Sequence, residues 1–153
     1  MIIRYGKIED ASSCLECVKN SQLWDAYFKD DPTTEKIEHE ILKNRITVAV
    51  DSSGNCLGFM GIIDNGCFGT FPYLAILSVH SDHRNKGVGR LLLQHFEHIG
   101  FEKENRVFLL CSDFNDKGRM FYQKNGYVEC GKIPDLYKKG ISEYLFVKYK
   151  NEY

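Results

Sequence analysis

Six consecutive residues, Arg84-Asn85-Lys86-Gly87-Val88-Gly89, have the chemistry of an anion cradle. Gly87 and Gly89 carry no Cβ, so backbone N–H groups there can approach a phosphate closely. A helix starting at this point adds partial positive charge, and Arg84, Lys86 and Arg90 add formal charge. A second group, Asn115-x-x-Gly118-x-x-Phe121-Tyr122-x-x-x-Gly126-Tyr127, places an amide at a helix start and a phenol two turns further on. Asn115 suits the N-cap of that helix. Met120 and Phe121 are expected to supply its core stripe, leaving Tyr122 on a different azimuth.

Other reactive side chains read as structural. Cys14-Leu-Glu-Cys17 has the spacing of redox and zinc sites, but it falls in a helical pattern and no second pair completes four ligands. Core packing is the expected role. His80 and His83 bracket the glycine turn and titrate near neutrality, yet read as partly exposed turn residues. His95 and His98 fall on or beside the exposed face of a helix.

The elements that must position these groups follow from periodicity. Ile2–Arg4 reads as a strand. A helix capped by Asp10 or Ser12 carries Ala11, Cys14, Leu15 and Val18 on one face. A second helix from Thr33 to Asn44 turns Ile37 and Ile41 inward, and the aromatic, acidic stretch 24–32 between them reads as irregular. Ile46–Asp51 and Cys56–Asp64 flank a hairpin turn at Ser52–Asn55, and Asn65-Gly66 reads as a second, stronger one. Pro72 limits regular pairing at the start of the next strand, whose reliable part begins at Tyr73. After the glycine turn, a helix carries Val88, Leu91, Leu92, Phe96 and Ile99 as an apolar stripe. The strand Val107–Cys111, the helix Asp116–Asn125 ended by Gly126, and the strands Tyr127–Ile133 and Ser142–Tyr149 complete the chain. The order βααβββαβαββ mixes hairpins with two strand–helix–strand crossovers, which implies an α/β (α+β) class with a mixed sheet.

At 153 residues, 43% apolar and 27% charged, the chain reads as one soluble globular domain. A net charge of −1 provides no global field for nucleic acid. No apolar run is long enough for a signal peptide or a membrane span, and six cysteines without a secretion signal predict reduced thiols. The cytoplasm is the expected compartment, with neither nucleic acid nor membrane as partner.

The order of elements and the two motifs resemble the GCN5-related N-acetyltransferases. That family's acetyl-CoA pyrophosphate loop reads Q/R-x-x-G-x-G/A, here Arg84, Gly87 and Gly89. Its second pattern, N-x-x-A-x-x-[FL]-Y-x-x-x-G-F, corresponds to Asn115 through Tyr127. The motifs and their strands cover residues 73 to 130. Ser81 stands where many members have proline, Gly118 replaces the usual alanine, and Tyr73 and Leu110 occupy places where some relatives carry a glutamate base. The resemblance therefore leaves the base open.

The resemblance implies a mostly antiparallel sheet of about seven strands flanked by about four helices, acetyl-CoA as acyl donor, no metal, and a monomer or homodimer. The implied cofactor contacts are Leu77, Ser78 and Val79 through their backbones, the loop Arg84, Asn85, Lys86, Gly87, Val88, Gly89 and Arg90, and Asn115 with Tyr122. Asn115 would orient the cofactor arm or a water, and Tyr122 would protonate the leaving thiolate as a general acid. The acceptor, an amine-bearing small molecule or peptide, would meet Trp24, Tyr27 and Phe28 beside Asp25, Asp30 and Asp31. Tyr73 and the pair Glu143 and Tyr144 are further wall residues, of which only one of the pair can face the cleft because strand residues alternate. Two other readings stay open: a non-catalytic acyl-CoA-binding module, and a nucleotide-binding protein, which the missing G-K-[ST] disfavours.

Overall fold

The computed structural model describes residues 1–30 and 34–151. Seven strands and four principal helices follow in the order β1 (Ile2–Tyr5), α1 (Ala11–Val18), α2 (Thr34–Leu42), β2 (Ile46–Val50), β3 (Cys56–Cys67), β4 (Phe71–Val79), α3 (Val88–Lys103), β5 (Arg106–Ser112), α4 (Asp116–Lys124), β6 (Val128–Ile133) and β7 (Glu143–Tyr149). The strand order is β1-β2-β3-β4-β5-β7-β6. β4 runs parallel to β5, with Tyr73 opposite Phe108 and Leu74 opposite Leu109. The pairs β1–β2, β2–β3, β5–β7 and β6–β7 are antiparallel. This is the mixed, mostly antiparallel architecture expected. Among the described residues no helix is long and apolar enough to cross a membrane.

The chain divides into two compact units, Met1–Ile63 with Ile76–Glu97 and Asp64–Ala75 with His98–Tyr153. In the first, the core draws Ala11, Cys14, Cys17 and Val18 from α1, Ile37 and Ile41 from α2, Ile46, Val48 and Val50 from β2, and Phe59 from β3. The helical spacing of the α1 set dictates that face. Asp10 precedes α1 but does not cap it. Its carboxylate accepts the Lys7 N–H at 2.7 Å and a forked pair from Arg4 at 2.7 and 3.0 Å. Burial favours the neutral acid, but those bonds outweigh it and hold Asp10 below the usual carboxylate range.

The stretch expected to be irregular forms a wide π-helical turn, Trp24–Phe28, in which Lys29 N–H reaches the Trp24 carbonyl at 2.9 Å. Trp24 and Phe28 pack against the α1–α2 core, and that packing orders the turn. Asp31, Pro32 and Thr33 lie outside the described residues.

In the second unit β5 pairs with β7 over its full length, from Arg106 opposite Tyr149 to Ser112 opposite Glu143. One turn expectation is corrected here. Asn65-Gly66 does not turn the chain, since β3 runs through both to Cys67. The reversal comes at Phe68–Thr70, where Phe68 and Gly69 adopt positive φ and Thr70 N–H bonds the Cys67 carbonyl at 3.1 Å. Solvent exposure of Asp64, Asn65 and Gly66 lets that part of the strand stay polar. β4 begins at Phe71 with Pro72 fully buried, and its pairing with β5 starts at Tyr73, as expected from the proline. Packing thus overrides local punctuation.

On α4 the inward residue is Tyr122, 9% exposed, while Met120 is 54% exposed. The helical repeat groups Tyr122 with Gly118 and Arg119 and turns Met120 outward.

Candidate functional site

In the first unit, the end of β4 leads through a short 3₁₀ turn, Ser81–His83, into the glycine loop. Ser78 is 7% exposed and its Oγ donates to the Cys17 carbonyl at 2.8 Å, while Leu77 and Val79 are half-buried. His80 closes the turn, its N–H on the Leu57 carbonyl at 2.9 Å and its Nδ1 accepting from Asp82 N–H at 3.2 Å.

Asn85 (φ 59°) and Gly87 (φ 84°) are both left-handed. Two such residues within three positions turn the chain so that α3 starts at once, with Leu91 N–H on the Gly87 carbonyl at 3.0 Å. Glycine immediately before the helix offers no side chain to the first helical N–H groups, those of Val88, Gly89 and Arg90. An acceptor oxygen placed there would meet these donors and the positive end of the helix.

The loop's cations divide. Arg84 spends Nε on the Val79 carbonyl at 3.1 Å and Nη1 on the Asn20 carbonyl at 3.2 Å. Lys86 Nζ reaches the Asp82 carbonyl at 2.9 Å. Asn85, Lys86, Gly87 and Arg90 are exposed, Gly89 is half-buried, and Val88 is buried as the first anchor of α3. Arg84 is therefore a brace for the loop.

In the second unit Asn115 is the N-cap of α4, its Oδ1 accepting from Gly118 N–H at 3.0 Å. A Cβ at position 118 would lie 2.4 Å from Asn115 Nδ2, so glycine leaves room for this cap. Tyr122 is held among Phe121, Tyr127 and Phe146, with ring centroids 5.3, 5.9 and 6.2 Å away. Burial, followed by the neighbouring Cys111, raises its phenol above the ordinary value, so it keeps its proton at neutral pH. Burial pushes the Cys111 thiol up to about 12, with Glu143 adding to the effect. That thiol is a poor nucleophile.

The acceptor candidates fall in both units. Trp24, Tyr27 and Phe28 are half-buried, with Lys19 Nζ 5.9 Å from the Trp24 ring centroid, and Asp25 and Asp30 are exposed. Tyr73 OH lies 3.5 Å from Tyr137 OH, and burial raises its phenol, helped by Tyr137. Glu143 is 3% exposed and accepts from Ser112 Oγ at 2.7 Å. Tyr144, half-buried, has Arg119 at 4.2 Å and Lys132 at 5.5 Å from its ring centroid. Neither Ser112 nor Arg119 was among the residues singled out from sequence. β5 was read one residue short at each end, and nothing in the α4 pattern signals a cation over a tyrosine. Among the described residues no group of three or more His, Cys, Asp or Glu side chains could hold a metal ion.

Solved structures share this fold over nearly the whole chain. Ard1 from Thermoplasma volcanium is 22% identical with a TM-score of 0.81, covering 99% of this chain and 98% of its own. A GNAT-family acetyltransferase from Bacillus cereus ATCC 10987 is 18% identical at 0.77, with 99% and 98% covered. The PaiA N-acetyltransferase from Thermoplasma acidophilum, solved with coenzyme A, is 23% identical at 0.75, with 97% and 98% covered. A comparison with curated proteins returned no match. The acetyltransferase (GNAT) family model matches residues 17–127. The chain belongs to that family, and acetyl transfer is its general class of reaction.

Proposed function

We propose that this protein transfers an acetyl group from acetyl-CoA to a primary amine, by direct attack within a ternary complex. The observation that carries the reading is the Asn85–Gly87 double left-handed turn, which presents the N-terminus of α3 directly after β4. In this reading the pyrophosphate rests on the N–H groups from Gly87 to Arg90, and Leu77, Ser78 and Val79 pair through their backbones with the pantetheine arm as an added strand would.

The reaction needs three things. An alkyl amine is mostly protonated at neutral pH, with a pKa near 10, so it must be delivered as the free base by desolvation or a water relay. As nitrogen attacks the thioester carbon, the carbonyl oxygen gains charge, and a backbone N–H on Leu77–Val79 stabilises it. As the C–S bond breaks, Tyr122 donates to the departing sulfur. The Tyr122 phenol is raised above the usual value near 10 and a thiol ionises near 8.5, so complete proton transfer runs uphill by at least about 2 kcal/mol and hydrogen-bond donation is the main contribution. Asn115 holds the start of α4 so that Tyr122 stays oriented. The scheme invokes no metal.

The test is an acetyl-CoA turnover screen against small amines, polyamines and peptide N-termini, read by thiol release, with calorimetric CoA binding alongside. Turnover with at least one amine class and CoA binding are expected. CoA binding without turnover on any amine would leave the acyl-CoA-binding module as the better reading, and no CoA binding would sink both.

A further inference from the structure

The sheet ends at β6 (Val128–Ile133). Among the described residues no strand pairs with its outer edge, and every residue of it except the half-buried Gly131 is exposed. Such an edge presents a row of main-chain donors and acceptors to any chain that can match it.

The pairing of β6 with β7 carries a bulge. Its register steps from Glu129 opposite Phe146 to Gly131 opposite Leu145, so Cys130 is the extra residue. That step resets the alternation of faces. Val128 and Ile133, an odd number of positions apart, share the face of Val147 and Glu143, while Glu129 and Lys132 share that of Phe146 and Tyr144. In an unbulged strand each pair would split between the two faces. Side-chain contacts agree: Lys132 Nζ lies 5.5 Å from the Tyr144 ring centroid, and Glu129 Oε1 lies 3.9 Å from Arg119, whose guanidinium sits over the same ring.

Apart from the bulged Cys130, the strand reads apolar, acid, glycine, base, apolar. This order is its own complement when run backwards. Against a second β6, antiparallel about a twofold axis at Gly131, Val128 meets Ile133 and Glu129 meets Lys132, and the axis repeats both contacts. Each opposed pair lies on one face, acid faces base, and two exposed apolar side chains, Val128 at 62% and Ile133 at 37%, cover each other. Bulges and charges on an edge discourage pairing with unrelated strands. Here they favour a partner with the same bulge and the reversed order of charge. The opposite edge strand, β1, lacks this property: its one charge, Arg4, is paired with Asp10 at 2.7 Å, and the strand holds no acid to face it.

We propose that β6 is a homodimer interface, at which two copies of this chain extend one sheet by antiparallel β6–β6 pairing across a twofold axis at Gly131. One short strand pair is a small contact, so the dimer is weak.

Sedimentation velocity of the full-length protein from about 1 to 200 μM is expected to show monomer giving way to dimer within that range. Hydrogen exchange of the 128–133 peptide should slow over the same range. Glu129→Lys and Lys132→Glu each set two like-charged pairs across the axis, and each is expected to raise the dimer Kd at least ~10-fold. An equimolar mixture of the two variants should return to near the wild-type value, because the new lysine of one faces the new glutamate of the other. A wild type monomeric throughout, a dimer that leaves exchange at 128–133 unchanged, single variants that dimerise as tightly as wild type, or a mixture no tighter than its components would each overturn the proposal. The wild-type measurements need no variant to fold, and none depends on acyl transfer.

Discussion

Ser78 Oγ donates to the main-chain carbonyl of Cys17 at 2.8 Å, fastening the end of β4 to the last turn of α1. Both groups are buried, so removing the hydroxyl leaves a carbonyl without that donor. Ser78→Ala is expected to lower unfolding free energy by about 1–2 kcal/mol, measured by denaturant titration with an unchanged m-value. A loss under 0.3 kcal/mol would mean that water replaces the hydroxyl.

Arg84 bridges two carbonyls with separate guanidinium nitrogens. Lysine offers one nitrogen and cannot span both. Arg84→Lys and Arg84→Ala are therefore expected to weaken CoA binding to a similar degree, about 10-fold or more by calorimetry. Full rescue by lysine would show that charge alone is used there.

Tyr122→Phe keeps the ring inside its aromatic cluster and removes only the hydroxyl. If the phenol serves the leaving sulfur, kcat falls by about 10²–10⁴, while CoA affinity changes less than about 2-fold. An unchanged kcat would end the assignment.

Gly118 and Asn115 are coupled by space. Gly118→Ala gains about 1 kcal/mol of helix propensity but forces the Asn115 cap aside, losing about as much, so its net effect is near zero. In an Asn115→Ala background the same substitution is expected to stabilise by about 1 kcal/mol. A double-mutant cycle reads the difference, and simple additivity would contradict the contact.

Asp10 sets an acid limit for the first unit. Its folded pKa lies below its unfolded one, so its contribution is fully present above the unfolded value near 4 and is lost as pH falls through the folded value. Stability of Asp10→Asn should be lower at neutral pH and flatter below about pH 4. Parallel curves for both proteins would refute this.

The order of elements was legible because apolar periodicity is set by burial, which shapes α1, β2, β3, β5 and β7, whereas β1 and β6 contain no buried residue and take their place from pairing. Asn65-Gly66 misled because a turn-prone dipeptide is a preference that sheet packing can outweigh. Gly87 and Asn115 were readable because each acts through its own backbone or that of residues nearby. Arg84 was readable as a motif position but not as a brace, since Asn20 is 64 residues away in sequence. Glu143 stood out as one of an alternating pair, but its partner Ser112 is 31 residues away and beyond such reasoning.

With Arg84 turned to carbonyls and Lys86 to the Asp82 carbonyl, the loop meets an anion with main-chain N–H groups and one exposed cation, Arg90. Exposed charge pairs and the field of an exposed helix end both lose strength as ionic strength rises, whereas direct N–H hydrogen bonds at contact distance persist. Affinity at this loop should accordingly decline only gently from dilute buffer to molar salt. A site built from lysine and arginine side chains would instead release its ligand over that range.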